Sequence, residues 1–435
     1  MMAALVLQLF ATAAATAGVW SLAAAAGPVV LTPLVTAVTL LKTHSTSLKS
    51  DDLQSAASPP DITGTVQLLA DPSLVARSRD AAVVFGPVSK AKENPLFAED
   101  QPWEGANRNT YPTAAYDPAD RKYKLWYNSN TKCALPRSAG NCPHLGYPAK
   151  WLPAVMGEVR TATLYAESED GLTFNKPNLG IVSWNGSTAN NIVLDAGAND
   201  YNRGVFLDLH DTNVSRRFKL FGGIDLPPDT PTGSPPTTLR TAVSKDGKVW
   251  MDHTSAASMD VAGDTANNAL WDPQLKKYLA FSRRHCMSDA CHINTEGQRR
   301  ETRSTGTEFL GGWSNATECA HGEGSKIWYE MYSLTPFRSP EWAAGLYFAV
   351  GSFYADGTPE GRVYCELMTS ADFGASWTRL APHKEFIKHS VDGVYPAGWD
   401  SHTCFSANGV VNSEETRLYY AGGNGEWRPP VPQLR

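Results

Sequence analysis

A short aromatic strand pattern that keeps returning constrains this chain more than any other feature. It first appears as Lys122-Tyr123-Lys124-Leu125-Trp126-Tyr127, behind the turn Tyr116-Asp117-Pro118. It returns as Arg217-Phe218-Lys219-Leu220-Phe221 behind Leu209-His210-Asp211, and as Lys277-Tyr278-Leu279-Ala280-Phe281 behind Trp271-Asp272-Pro273. Looser copies stand at Gly345-Leu346-Tyr347-Phe348-Ala349-Val350 and Arg417-Leu418-Tyr419-Tyr420-Ala421. A unit that recurs in this way cannot bury its own apolar face and must stack on copies of itself.

A second element follows four of these strands. Ser370-Ala371-Asp372-Phe373-Gly374-Ala375-Ser376-Trp377 fits the S-x-D-x-G-x-x-W turn known as the Asp-box. Ser168-Glu169-Asp170-Gly171-Leu172-Thr173-Phe174 and Ser244-Lys245-Asp246-Gly247-Lys248-Val249-Trp250 are shorter versions, and Arg303-Ser304-Thr305-Gly306-Thr307-Glu308-Phe309 is a degraded one. The chemistry is that of a hairpin: the aspartate bonds turn amides, glycine supplies positive φ, and the aromatic packs between sheets. Strands dominate the composition too, since 35 Gly and 29 Pro leave no long amphipathic helix after residue 50.

The alternation predicts an all-β, five-bladed β-propeller with four-stranded antiparallel blades. Its edges must be hidden, and the strands at Thr65-Val66-Gln67-Leu68-Leu69 and Ala81-Ala82-Val83-Val84-Phe85 are placed to close the ring on the last blade. The expected organisation is 1–41 as signal peptide or membrane anchor, 42–63 as linker, and 64–435 as one propeller domain. No charged side chain precedes Lys42, and Ala23 and Ala25 sit near a leader cleavage site. An uncleaved leader would attach the protein to a membrane. Sequons at Asn185, Asn213 and Asn315 are expected to carry N-glycans on a secreted or lumenal chain. The pairs Cys133/Cys142 and Cys286/Cys291 are expected to staple loops, leaving an odd thiol among Cys319, Cys365 and Cys404. His285-Cys286 and Cys291-His292 match no familiar zinc spacing, so no metal or other cofactor is expected. A net charge of −6, with both signs interspersed, gives no reason to expect nucleic acid.

In a propeller the innermost strands begin around one axial opening, so the segments before the aromatic strands hold the candidate chemistry. These are Trp103-Glu104 with Arg108, Asn202-Arg203, Asp264 with Asn267, Glu330 with Tyr332, and Trp399-Asp400 with His402. Each group carries polar side chains, beside aromatics in every one but Asp264 with Asn267. Cleaving a glycosidic bond needs two carboxyl groups, one donating a proton and one acting as nucleophile or base. Glu330 is the expected acid, Glu104 or Asp264 the partner, and Asp400 a sugar or tuning contact. Trp103, Arg108, Asn202, Arg203, Asn267, Tyr332, Trp399 and His402 are the expected binding residues for a carbohydrate substrate.

The chain resembles the five-bladed propeller glycosidases of the invertase and arabinanase type (the superfamily of the glycoside hydrolase family 32 N-terminal domain), as an outlying branch. The resemblance rests on Glu93-Asn94-Pro95-Leu96, Trp103-Glu104, Tyr123-Lys124-Leu125-Trp126-Tyr127 and Tyr165-Ala166-Glu167-Ser168-Glu169-Asp170-Gly171. It continues through Lys176-Pro177-Asn178-Leu179-Gly180, Asn190-Asn191-Ile192-Val193, Gly398-Trp399-Asp400 and Tyr419-Tyr420. It implies a carboxylate on the first blade, another on a middle blade and a Glu acid further on. The W-N-D-P-N and Arg-Asp-Pro motifs of invertases are absent, so Glu104, Asp264 and Glu330 are matched by blade alone. A non-catalytic carbohydrate-binding propeller is the main alternative. A sialidase-like enzyme, reading a carboxylate with Arg108, Arg203 and Arg240, is a lesser one.

Overall fold

The computed structural model describes residues 2–7, 88–104, 111–132, 159–195, 200–225, 237–253, 263, 266–284, 299–323, 329–338, 345–355, 362–390, 398–411 and 416–423. The strands expected at 65–69 and 81–85 lie outside these residues, as do Arg108, Asp264 and both short cysteine pairs.

The described residues form an all-β propeller of antiparallel sheets. Strand β1 (Met2–Leu7) and β2 (Ser89–Lys90) come first in the chain. The first complete sheet is β3 (Thr113–Asp117), β4 (Lys122–Lys132), β5 (Val159–Ser168) and β6 (Ile192–Asp195), joined in sequence order. The next holds β7 (Asp200–Leu207), β8 (Phe218–Asp225), β9 (Thr237–Ser244) and β10 (Trp250–His253). A third holds β11 (Asn268–Asp272), β12 (Lys277–Arg284), β13 (Arg300–Glu308) and β14 (Gly311–Trp313), with β15 (Thr317–His321) also on β13. The last sheet is nine-stranded. It runs from β16 (Glu330–Phe337) through β17 (Tyr347–Ala355) and β18 (Arg362–Ser370), with β19 (Thr378–Arg379) on β18. It continues through β20 (Thr403–Ser406) and β22 (Thr416–Gly423), with β21 (Val410–Val411) on β22 and β1 and β2 at the far edge. Its two parts meet at one parallel pair, Val363 opposite Thr403.

Every aromatic repeat is the second strand of its group: β4, β8, β12, β17 and β22. Alternate residues of such a strand point to opposite faces, and here both faces are buried. Leu125 and Tyr127 pack with Phe405, Tyr419 and Ala421, whereas Trp126 packs with Phe218, Leu220 and Ala242. Further cores gather Phe206 and Phe221 with Tyr278, Leu279 and Phe281 with Met331 and Tyr347, and Val350 with Leu418 and Tyr420. The apolar faces are therefore used between sheets.

Polar ties repeat as well. Asp117 accepts from Lys124 Nζ at 2.7 Å and from both Arg217 terminal nitrogens at 2.6 Å. Asp208 accepts from Tyr278 Oη at 2.8 Å, and Asp272 from Tyr347 Oη. Each aspartate ends, or directly follows, an innermost strand and holds a side chain of the next sheet.

The hairpin turns show the expected bonding at three sites. Asp170 accepts from the amides of Leu172 and Thr173, Asp246 from those of Lys248 and Val249, and Asp372 from that of Ser376. Their glycines, Gly171, Gly247 and Gly374, lie at φ 73°, 77° and 77°. The fourth site differs. Residues 303–308 are strand β13, and the hairpin is tighter, turning at Phe309-Leu310 with Trp313 Nε1 donating to the Phe309 carbonyl at 3.1 Å. Without an aspartate to bond the turn amides, the chain stays in ladder pairing as far as Glu308.

Glu167 couples the first two sheets, bonding Lys122, Lys248 and Tyr165. Burial opposes its charge, but the lysines and the tyrosine outweigh that and bring its pKa from 4.5 to about 2. A depressed carboxyl contributes stability above its unfolded value that is lost as pH falls towards the folded one. Glu167→Gln should thus be less stable than the parent at pH 7, with the gap closing between pH 4.5 and about 2. Urea midpoints across that range check it, and a gap that stays constant contradicts it.

Cys365 and Cys404 form a disulfide that pins β18 to β20 across 39 residues of sequence. The thiol left over is Cys319, which is buried. Chain-entropy arguments give such a link roughly 2–4 kcal/mol. Cys404→Ser should lower the thermal midpoint correspondingly, as calorimetry of the oxidised proteins would show, and an unchanged midpoint would contradict that. No helix among the described residues is long and apolar enough to cross a membrane. Residues 2–7, inside the expected leader, form strand β1, paired with β22.

Candidate functional site at the propeller axis

The innermost strands touch one another around the axis. Val205 N donates to Thr113 Oγ1 at 3.1 Å, joining β7 to β3. Gly204 lies so close to the third sheet that an added Cβ would stand 1.9 Å from the Asn267 carbonyl oxygen, which explains why glycine is required there. Asn268 Nδ2 donates to the Leu334 carbonyl at 3.3 Å, and Thr335 Oγ1 to that of Ser406 at 3.1 Å. The circuit closes where Asn408 bonds both the amide and the carbonyl of Ala114, at 2.8 and 2.7 Å.

Two of these strands carry bulges where candidate residues stand. The β16–β17 register pairs Met331 with Phe353 and Ser333 with Ser352, leaving Tyr332 as the extra residue. The β7–β8 register likewise skips Asn202 and Arg203. A bulge releases a side chain from strict alternation and re-aims it. Tyr332 accordingly stacks on Tyr111 from the first sheet's entry, with centroids 6.3 Å apart and planes 5° apart, and packs beside Phe405 at 5.8 Å. Residues from the first and last sheets thereby meet.

A charged group surrounds that ring. Glu330, the first residue of β16, accepts a hydrogen bond from Arg299 Nη1. Arg283, on β12, donates Nη1 to the Tyr332 carbonyl at 3.0 Å. The Arg283 and Arg299 guanidinium carbons lie 4.4 and 5.1 Å from the Tyr332 centroid, within cation–π reach. All four residues are buried, and Arg299, at 9%, is the most exposed of them. Asn267 completes the neighbourhood on the third sheet, taking Ser282 Oγ at 2.5 Å and donating to the Gly263 carbonyl at 3.1 Å.

Sequence reasoning named Glu330, Tyr332 and Asn267 here but missed Arg283 and Arg299. The arginines sit at the far end of β12 and just before β13, outside the innermost-strand segments. The available signal was the run of arginines flanking the third repeat, Arg283-Arg284 and Arg299-Arg300.

Other expected site residues have different surroundings. Glu104 Oε2 accepts from the amides of Asp100 and Gln101 at 3.0 and 3.1 Å and from Lys176 Nζ at 2.8 Å, while Oε1 accepts from Tyr127 Oη at 2.5 Å. These bonds fasten the 97–104 loop to β4. Burial first, then the neighbouring Glu104 charge, push the Tyr127 hydroxyl well above its usual pKa, so it stays a donor. Trp103 is half-buried, donates Nε1 to Asn191 Oδ1 at 2.7 Å and meets Trp184 edge-on at 6.0 Å. Asp400 is buried between Lys90 Nζ at 2.5 Å, Tyr420 Oη at 2.7 Å and Ser390 Oγ. Burial works against its charge, yet Lys90, Ser390 and Tyr420 together hold the carboxyl below the usual range. Trp399 stacks on Tyr420 at 5.7 Å within the core between β18 and β22. His402 is half-buried beside Ser401, with Oγ 2.7 Å from Nδ1. Arg203 is buried with its Cγ against Gly222. Only the backbone of Asn202 is described, and Asp264 and Arg108 lie outside the described residues.

No family model matches this chain, and no curated protein matches it. Among solved structures it is similar to an N-acetylgalactosamine deacetylase from F. plautii in complex with blood group B trisaccharide, at 12% identity and TM-score 0.48, covering 75% of this chain and 83% of that one. It is similar to the fructofuranosidase from Schwanniomyces occidentalis complexed with fructose, at 10% identity and TM-score 0.44, over 71% of this chain and 55% of that one. A third similarity is to an α-L-arabinofuranosidase from Fusarium graminearum with an iminosugar inhibitor, at 12% identity and TM-score 0.39, over 74% and 77% of the two chains.

Proposed function

We propose that this chain is a five-bladed propeller glycoside hydrolase that cleaves a glycosidic bond at the axial site. Counting five blades divides the nine-stranded sheet at its one parallel pair. Four apolar cores lie between sheets and a fifth lies between the two parts of the nine-stranded sheet, which supports that count, since a closed ring has as many interfaces as blades. The observation that carries the function is the convergence of Glu330 and Tyr332 with Arg283 and Arg299 of the neighbouring sheet. A carboxylate beside cationic donors and an aromatic ring is suited to binding sugar hydroxyls and to acting on an anomeric carbon.

In this reading Glu330 is one member of the carboxyl pair, and Asp264, next to Gly263 on the approach to β11, is the other. Glu104 and Asp400 act as structural anchors, because several protein donors already hold their oxygens. Asn267 holds Gly263 through its carbonyl. The Cys365–Cys404 disulfide supports an exported protein, since such bonds persist in oxidising compartments. Asn185, Asn213 and Asn315, all exposed, are then candidate glycosylation sites.

The test is release of reducing ends from a panel of aryl glycosides and polysaccharides by the wild type and by Glu330→Gln. Release by the wild type alone is expected. Saccharide binding without release by either protein would instead assign a carbohydrate-binding propeller.

A further inference from the structure

The residue that leads into Glu330 is held at its carbonyl, its ring and its hydroxyl by groups outside the axial site. Glu330 is the first residue of β16 and stands opposite Tyr354 of β17. A strand's terminal residue lacks ladder bonds on one side, which leaves such positions prone to fray. Tyr329, just ahead of it, supplies the missing restraint. Its carbonyl accepts from the Glu323 amide at 3.3 Å, and an added Cβ at Gly322 would stand 2.1 Å from that oxygen. Its ring stacks on Phe353, with centroids 5.3 Å apart and planes 14° apart, and the Arg379 guanidinium carbon lies 5.1 Å from its centre. Its hydroxyl donates to Glu366 Oε1.

Glu366, on β18, is fixed in turn. Arg379 donates Nε to Oε2 at 2.7 Å and Nη2 to Oε1 at 2.9 Å, and the His383 amide donates to Oε1 at 3.0 Å. Arg379 Nη1 also bonds Glu323 Oε1 at 3.0 Å, and His383 Nε2 meets the same oxygen. The third and last sheets are thus linked around Tyr329. The residue before Glu366, Cys365, carries the disulfide to Cys404 that fixes β18 to β20. Burial, and then the Glu366 charge, push the Tyr329 hydroxyl well above its usual pKa, so it remains a donor. Glu366 is only 1% exposed, and burying a carboxylate is so costly that an apolar replacement of a buried ion pair is often as stable. What a fully bonded polar network does provide is a single fixed geometry, which a reacting group requires.

Resting on the glycosidase reading for the role of Glu330, we propose that Glu366 is a positioning residue for the reaction: through the Tyr329 hydroxyl it sets where the Glu330 carboxyl stands. Glu366 does not touch the sugar, because protein donors already hold both of its oxygens.

The test compares two variants that each delete one buried hydroxyl and keep the ring. Tyr329→Phe removes the tie to Glu366, whereas Tyr278→Phe removes the similar tie to Asp208 between the second and third sheets. On the aryl glycoside that the wild type cleaves fastest, Tyr329→Phe should lower kcat roughly ten- to a hundred-fold, since a displacement of about 1 Å costs on that order. KM should change little, and the limb of the kcat–pH profile that depends on Glu330 should move. Tyr278→Phe should lower the thermal midpoint but keep the wild-type kcat and pH profile. Glu366→Gln, which retains an acceptor for the hydroxyl, should fall between the wild type and Tyr329→Phe. Crystal structures of the wild type and Tyr329→Phe need no substrate, and the variant should show the Glu330 carboxyl moved from Arg299 Nη1. An unmoved carboxyl, or an equal loss of kcat in the two Tyr→Phe variants, overturns the proposal. The two ideas fail separately: a moved Glu330 in a protein whose wild type releases nothing removes the hydrolase reading alone. Release by the wild type, with kcat and Glu330 both unchanged in Tyr329→Phe, removes this proposal alone.

Discussion

Replacing Glu330 by glutamine should lower kcat by about 10²–10⁴-fold, the range that a positioned acid or base contributes, with a smaller change in KM. Glutamine keeps an oxygen for Arg299 Nη1 but provides neither a charge nor a transferable proton. The substitution also leaves Arg299, buried beside Tyr332, without its carboxylate, so stability should fall as well. Far-ultraviolet circular dichroism and the thermal midpoint separate the two effects. Loss of turnover in a protein that remains folded supports a chemical role. Wild-type kcat in that folded variant would remove Glu330 from the mechanism.

The largest structural effect should come from Asp117→Ala. Asp117 is fully buried, and it neutralises Lys124, whose side chain is 2% exposed, together with Arg217 from the second sheet. Burial disfavours the aspartate charge, but Arg217, then Lys124 and the Ala119 amide, hold its carboxyl below the usual range. Removing one partner of a buried ion pair strands the other charge and costs about 3–5 kcal/mol. Lys124 keeps a bond to Asp120 at 2.8 Å, although Asp120 is solvent-exposed and offsets less. Urea unfolding at neutral pH should therefore show a loss near the lower end of that range or above it. Asp117→Asn, which retains acceptor capacity, should lose less. A loss below about 1 kcal/mol, the size of a surface pair, would show that the first two sheets do not depend on this tie.

The architecture was legible because its cause is local and repeated. Each aromatic strand carries the residues that fill two sheet interfaces, so Trp126 and Tyr127 can be recognised as neighbours that must face opposite ways. The turn aspartates were equally visible at Asp170, Asp246 and Asp372, where the acceptor and its amides lie within four residues. The turn at Leu209-His210-Asp211 was legible, but the tie beside it was not. Asp208, not Asp211, reaches Tyr278, whereas Asp211 serves Lys219 at 2.5 Å, and nothing local distinguishes two aspartates in one turn.

The site was less legible, for a physical reason. Carboxylates and aromatics before an innermost strand suit either a ligand or an internal anchor, and burial with long-range partners decides between them. Glu104 meets Lys176 and Asp400 meets Lys90, contacts separated by 72 and 310 residues. The Cys365–Cys404 link was hidden in the same way, in the trio left after short-range pairs had been formed. Arg283 and Arg299 reach the axis from the ends of the second and third strands of their sheet, a consequence of strand length that the repeat alone does not fix.

The proposed function requires a glycan to occupy the propeller axis beside Glu330 and Arg299. A crystal structure of the Glu330→Gln protein soaked with a saccharide that the wild type cleaves tests it most directly. Sugar is expected within hydrogen-bond reach of Arg299, on the side of Tyr332 that faces the opening. Sugar bound only at the outer turns, with the axis empty, would contradict it.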